Sequence, residues 1–94
     1  MRIEYRTNID CCKPFLTRLN NLTRRLSNLV TIPNIDEYVR IIDETDKVID
    51  MHVLEKTWKY PEDDEVVCEI YLGASRIWRE KGLDALEKFI KNRY

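Results

Sequence analysis

Three cysteines and one histidine, Cys11, Cys12, Cys68 and His52, are the side chains here best suited to metal or nucleophilic chemistry. They add up to a Cys3His ligand count, yet none of their spacings is the short C-x-x-C hook that preorganises a zinc site. An odd number of cysteines, two of them adjacent, also fails to make an even disulfide framework and fits a reducing compartment. The expectation is three small thiols packed as hydrophobes, with no metal and no cofactor. His52 has no Ser, Cys or carboxylate obviously placed for it to activate. It reads as a partly buried, hydrogen-bonded histidine. Asp43, Asp46 and Asp50 would share one helical face at i, i+3 and i+7. Holding Mg²⁺ with a substrate would need further carboxylates from a facing helix, so they read as a solvated face. Two isolated glycines cannot build a phosphate loop. These observations predict a protein that is not an enzyme.

Charge is distributed more informatively than the motifs. Residues 11 to 33 carry Lys13, Arg18, Arg24 and Arg25 and no acid, whereas residues 34 to 56 carry seven acids against Arg40, Lys47 and Lys56. If both segments are helices, opposite signs select them as partners, within one chain or across a dimer. The alternative leaves Arg18, Asn21, Arg24, Arg25 and Asn28 as an exposed strip of the side-chain types that contact phosphates and base edges. The overall charge of −1 weighs against that alternative, because a dedicated nucleic-acid binder is normally a basic domain.

Positioning such groups falls to elements whose periodicity is mainly helical. From Cys11 onward, Phe15, Leu19, Leu22, Leu26 and Leu29 lie in a narrow arc at about 100° per residue, with Asp10 available as a cap and Pro14 in the first turn. Asn34 followed by Glu37 has capping-box spacing. It precedes a second apolar arc running from Ile35 through Ile42 to Val53. Pro61, four acids in the next turn, and Gly82 after Arg79 and Lys81 bracket a third segment in which Val66, Ile70, Ala74 and Ile77 share a face. A short fourth helix follows, with Leu83, Leu86, Phe89 and Ile90 inward. A competing pattern is present: Val66, Cys68, Ile70 and Leu72 alternate around the Pro61 turn as a hairpin would.

The chain of 94 residues is therefore expected to be one all-α domain, a small antiparallel bundle with helices at about 11–30, 34–58, 61–81 and 83–93. The alternative is an α+β fold, in which an N-terminal strand holding Ile3 and Tyr5 lies beside a 52–72 hairpin. Leu22 and Ile42, at the centres of their arcs, are expected core residues. Met51, Leu54 and Trp58 share a second face of the second helix, and Cys68 and Leu72 stray in the same way from the third. One core cannot take both faces, so these five are expected to form a partner surface, for a homodimer or another protein, centred on Trp58 and Leu54. The functional expectation is a helical protein-interaction module, a regulator, inhibitor or assembly subunit. A nucleic-acid-binding regulator using helix 11–30 is the alternative. No apolar run is long enough to span a membrane, and the start Met1-Arg2-Ile3-Glu4 is unlike a signal peptide. A cytoplasmic location is expected.

Overall fold

The computed structural model describes residues 2–26, 31–42 and 48–91. The architecture is α+β, and the four-helix bundle is not formed. A mixed sheet contains β1 (Arg2–Thr7), β2 (Tyr38–Ile42), β3 (Val48–Lys59) and β4 (Val67–Ala74) in the order β1-β4-β3-β2. β1 runs parallel to β4, and the other pairs are antiparallel. Helix α1 (Lys13–Arg25), entered through a 3-10 turn at Asp10–Cys12, connects β1 to β2, and the short α2 (Arg76–Lys81) and α3 (Leu83–Lys91) follow β4. The α+β alternative comes nearer, with its N-terminal strand beside a hairpin turning at Pro61, but it contained neither β2 nor the Val48–Met51 part of β3.

The all-helix expectation fails over 34–58 for an identifiable reason. Val39, Ile41, Ile49 and Val53 are β-branched, stiff at χ1 and suited to a pleated surface. They alternate inward, together with Met51, while Tyr38, Arg40, Ile42, Val48, Asp50 and His52 alternate outward. Ile42 and Val48 are apolar on that outer face too, and the extra apolar positions filled out a helical arc. The Asn34–Glu37 signal is real but opens no helix. The Glu37 carboxylate accepts from Asn34 N–H at 2.8 Å, Glu37 N–H donates to Asn34 O, and Asp36 at φ 72° turns the chain into β2. In the third segment the alternation of Cys68, Ile70 and Leu72 prevails over the helical arc, because β4 lies between β1 and β3 and gains a ladder on both edges. Gly82 does terminate α2 as a glycine cap would. Its φ of 94° is one that L side chains rarely adopt.

The core lies on one face of the curled sheet. Ile3 and Tyr5, then Ile41, Ile49, Met51 and Val53, then Cys68, Ile70 and Leu72 meet Cys12, Phe15 and Leu16 from the α1 side and Leu86 and Ile90 from α3. Leu22 and Ile42, expected inside, are 45% and 54% exposed. α1 instead buries Phe15, Leu16 and Thr23, so its contact face is rotated away from Leu22. The opposite face of the sheet carries charge. Glu69, with a side chain only 19% exposed, accepts from Lys59 Nζ at 2.7 Å and Arg6 Nε at 2.8 Å, and Arg6 also reaches Glu4 at 3.3 Å. The Lys59 ammonium, and then Arg6, hold the Glu69 carboxyl below the usual carboxylate range.

At the centre of edge strand β1, Tyr5 is capped from the side. The Asn20 side-chain carbonyl accepts from Tyr5 N–H at 2.7 Å, and its amide donates to Tyr5 O at 3.0 Å. One asparagine on α1 thus stands in for a neighbouring strand.

Candidate functional site

An apolar concavity lies where β1, β3 and β4 meet the two C-terminal helices. Leu54, next after inward-facing Val53, lies on the outer face of the sheet by strand alternation, and a bulge between Val53 and Glu55 shifts the β3–β4 register beyond it. Leu54 lies across Gly73, where a Cβ atom would come within 2.5 Å of its Cδ1. Asn8 and Ile9 after β1, Tyr71 and Gly73 of β4, Trp78 of α2 and Leu83 at the start of α3 complete a cleft of about 470 Å³. Its back is rigid. The Trp78 ring packs on Phe89 with centroids 5.0 Å apart and joins the core, and Lys81 Nζ sits 5.3 Å from the Trp78 ring centre. Arg79 stands on the rim, and Leu54 and Leu83 are exposed. No Ser, Cys, Thr or His lines this space, and its one lining cation is Arg79.

The five residues expected to form a partner surface do not share one. Met51, Cys68 and Leu72 are fully buried core, on the inner face of the sheet. Leu54 faces the cleft. Trp58, 42% exposed, pairs in register with Cys68 and so belongs to the inner face, opposite Leu54. A helical face separates i from i+4 by one turn, whereas a strand with a bulge between them sends the two side chains to opposite sides.

The basic strip fares differently. Arg18, Asn21, Arg24 and Arg25 are exposed on α1, and Asn28 lies outside the described residues. Pro14, Thr17, Arg18, Asn21, Leu22 and Arg25 line a shallow groove of about 400 Å³. The acidic helix expected to pair with this face does not exist. Of its acids, Asp50 is engaged by Arg40 through two hydrogen bonds of 2.8 and 3.1 Å, which hold the Asp50 carboxyl below its ordinary range. Asp43, Glu44 and Asp46 lie outside the described residues. Among the described residues, no carboxylate forms an ion pair with Arg18, Arg24 or Arg25.

The remaining chemical candidates are structural. His52 Nε2 is 3.3 Å from an Asp36 carboxylate oxygen, and its ring stacks on Tyr38 at 5.2 Å, which ties the turn before β2 to β3. Burial pushes the Cys12 thiol up to about 12 and raises that of Cys68 as well, so neither is a thiolate near neutrality. Among the described residues no three His, Cys, Asp or Glu side chains are grouped to hold a metal ion. No helix among them is long and apolar enough to cross a membrane.

The cleft was not legible in the sequence. Its one available signal was Gly73, a lone glycine in an alternating apolar run, which marks a close approach of another group to the strand. Ile9, Trp78 and Leu83 become neighbours only through the sheet order. Comparison with protein-family models, with curated proteins and with solved structures gives no match for this chain.

Proposed function

We propose that this chain is a non-enzymatic protein-interaction module. Its ligand is a peptide segment that places one apolar side chain in the cleft between Leu54, Trp78 and Leu83, with carboxylates flanking that anchor. The cleft is the observation that supports this reading. Apolar area left open beside an aromatic wall is typical of a pocket that takes an anchor residue, and Arg79 on the lining favours an acidic surrounding sequence. A double variant, Leu54→Glu with Leu83→Glu, alters two exposed side chains and is expected to melt within a few degrees of the parent. Affinity capture with identification of the bound proteins should then return partners for the parent that the variant loses. Recovery of the same partners at the same level by the variant would refute the assignment.

A second reading is supported by the unpaired face of α1. Arg18, Arg24 and Arg25, with Asn21 between them, offer a nucleic-acid backbone several cations that no described acid neutralises. Neutralising the three arginines together is expected to weaken binding to DNA or RNA. It should also reduce the salt slope by about one unit per lost phosphate contact. If the unmodified protein shifts neither nucleic acid at micromolar concentration in low salt, this second reading is wrong.

A further inference from the structure

The two edges of the sheet are treated differently. Asn20 satisfies both backbone groups of Tyr5 on the β1 edge. On the β2 edge, no other segment among the described residues makes a backbone hydrogen bond. Edges left open in this way pair with other chains unless something guards them. The usual guard, a charged side chain, is here Arg40, and its guanidinium is already held by Asp50 of β3. On either side of it Tyr38 and Ile42 are 55% and 54% exposed.

The direction of the open groups follows from one hydrogen bond. Val53 N–H donates to Glu37 O at 2.9 Å. Backbone groups of successive strand residues turn to opposite edges, so Val39 and Ile41, in register with Met51 and Ile49, face β3. Tyr38, Arg40 and Ile42 therefore direct their N–H and C=O groups outward.

The strand Tyr38-Val39-Arg40-Ile41-Ile42 is self-complementary about its centre. We infer that β2 pairs antiparallel with β2 of a second copy of this chain, about a two-fold axis through Arg40, merging the two four-stranded sheets into one. In that register Arg40 meets Arg40 of the second copy as a hydrogen-bonded pair, and Tyr38 meets Ile42 on either side of it. All three outward-facing residues then exchange both backbone hydrogen bonds. On the outer face the flanking pairs are aromatic against β-branched, and on the inner face Val39 meets Ile41, combinations that stabilise adjacent strands. The one like-charge contact, Arg40 against Arg40, is neutralised on each side by Asp50, giving a row of alternating pairs, Asp-Arg-Arg-Asp, across the joined sheet. A two-fold interface requires one patch to complement itself, and this pattern does. The edge shares no residue with the cleft, so this inference stands or falls separately from the peptide-binding reading.

Light scattering across micromolar to millimolar concentrations tests it on the full chain. The parent is expected to reach twice the 11.4 kDa chain mass. Arg40→Pro removes an N–H that points away from β3, which an edge strand tolerates. It is expected to keep the parent's circular dichroism while the mass halves. A parent that keeps the mass of one chain throughout, or a dimer that survives Arg40→Pro with native dichroism, would overturn the inference. If Arg40→Pro fails to fold, hydrogen exchange of the parent decides. Amides of Tyr38, Arg40 and Ile42 should exchange more slowly as concentration rises, and concentration-independent exchange at all three would overturn the dimer.

Discussion

Leu72→Asp is expected to leave no cooperatively folded protein at room temperature, whereas Leu22→Asp melts within a few degrees of the parent. Leu72 has no solvent exposure and sits on the central strand β4, in register with Thr7 of β1 and Val53 of β3. The substitution forfeits about 2 to 3 kcal/mol of apolar burial and adds several kcal/mol for a carboxyl group with no partner. A domain of this length has roughly 5 to 14 kcal/mol of stability in all. Leu22, at 45% exposure, can point a carboxylate into water beside Arg18 and Arg25. Thermal melts followed by circular dichroism distinguish the two variants. The helical arc of the sequence ranks these effects in the opposite order, with Leu22 central and Leu72 stray. A near-native melt for Leu72→Asp would therefore restore the bundle and reject the sheet.

Asn20→Ala carries the second large effect. Tyr5 is nearly buried, and its N–H and C=O on the outer edge of β1 are both satisfied by the Asn20 amide. Leaving two part-buried backbone groups without partners costs about 2 to 6 kcal/mol, at 1 to 3 for each group. In a domain of this size that corresponds to a loss of at least about 10 °C in melting temperature. Asn20→Asp retains the acceptor for Tyr5 N–H but turns a carboxylate oxygen toward Tyr5 O. Only the protonated acid can donate there, so its pKa in the folded state is raised above that in the unfolded state. The associated stability is present at acid pH and is lost as pH rises through the folded value. Asn20→Asp should therefore approach the parent in acid and fall behind it at neutral pH, while the Asn20→Ala deficit shows no such trend. A melt of Asn20→Ala equal to the parent's would mean that water satisfies the Tyr5 edge, and that α1 does not seal β1.

The sequence by itself determined the local signals. The Asn34–Glu37 pairing, though as a turn and not the helix cap expected, the glycine stop at Gly82, the inward side of α3 at Leu86 and Ile90, though not at the exposed Leu83, and the strand alternation of Cys68, Ile70 and Leu72 follow from the residues and their immediate neighbours. Tertiary structure decided which of two valid periods each segment obeys. Residues 34–58 satisfy a helical arc and a two-residue alternation together, because both faces of the β2–β3 hairpin carry apolar side chains. Pairing settled the choice: β3 bonds to β2 along one edge and to β4 along the other, and no helix offers that ladder. Apart from the lone Gly73, the cleft belonged to the tertiary level. Ile9, Leu54, Gly73, Trp78 and Leu83 come from five separate parts of the chain, and the register shift between Val53 and Glu55 sends Trp58 to the opposite face from Leu54. The charge arrangement changed for the same reason. The basic residues of α1 were legible as a strip, but whether acids cover them depended on whether 34–58 is a helix, and as strands it places Asp50 against Arg40 instead.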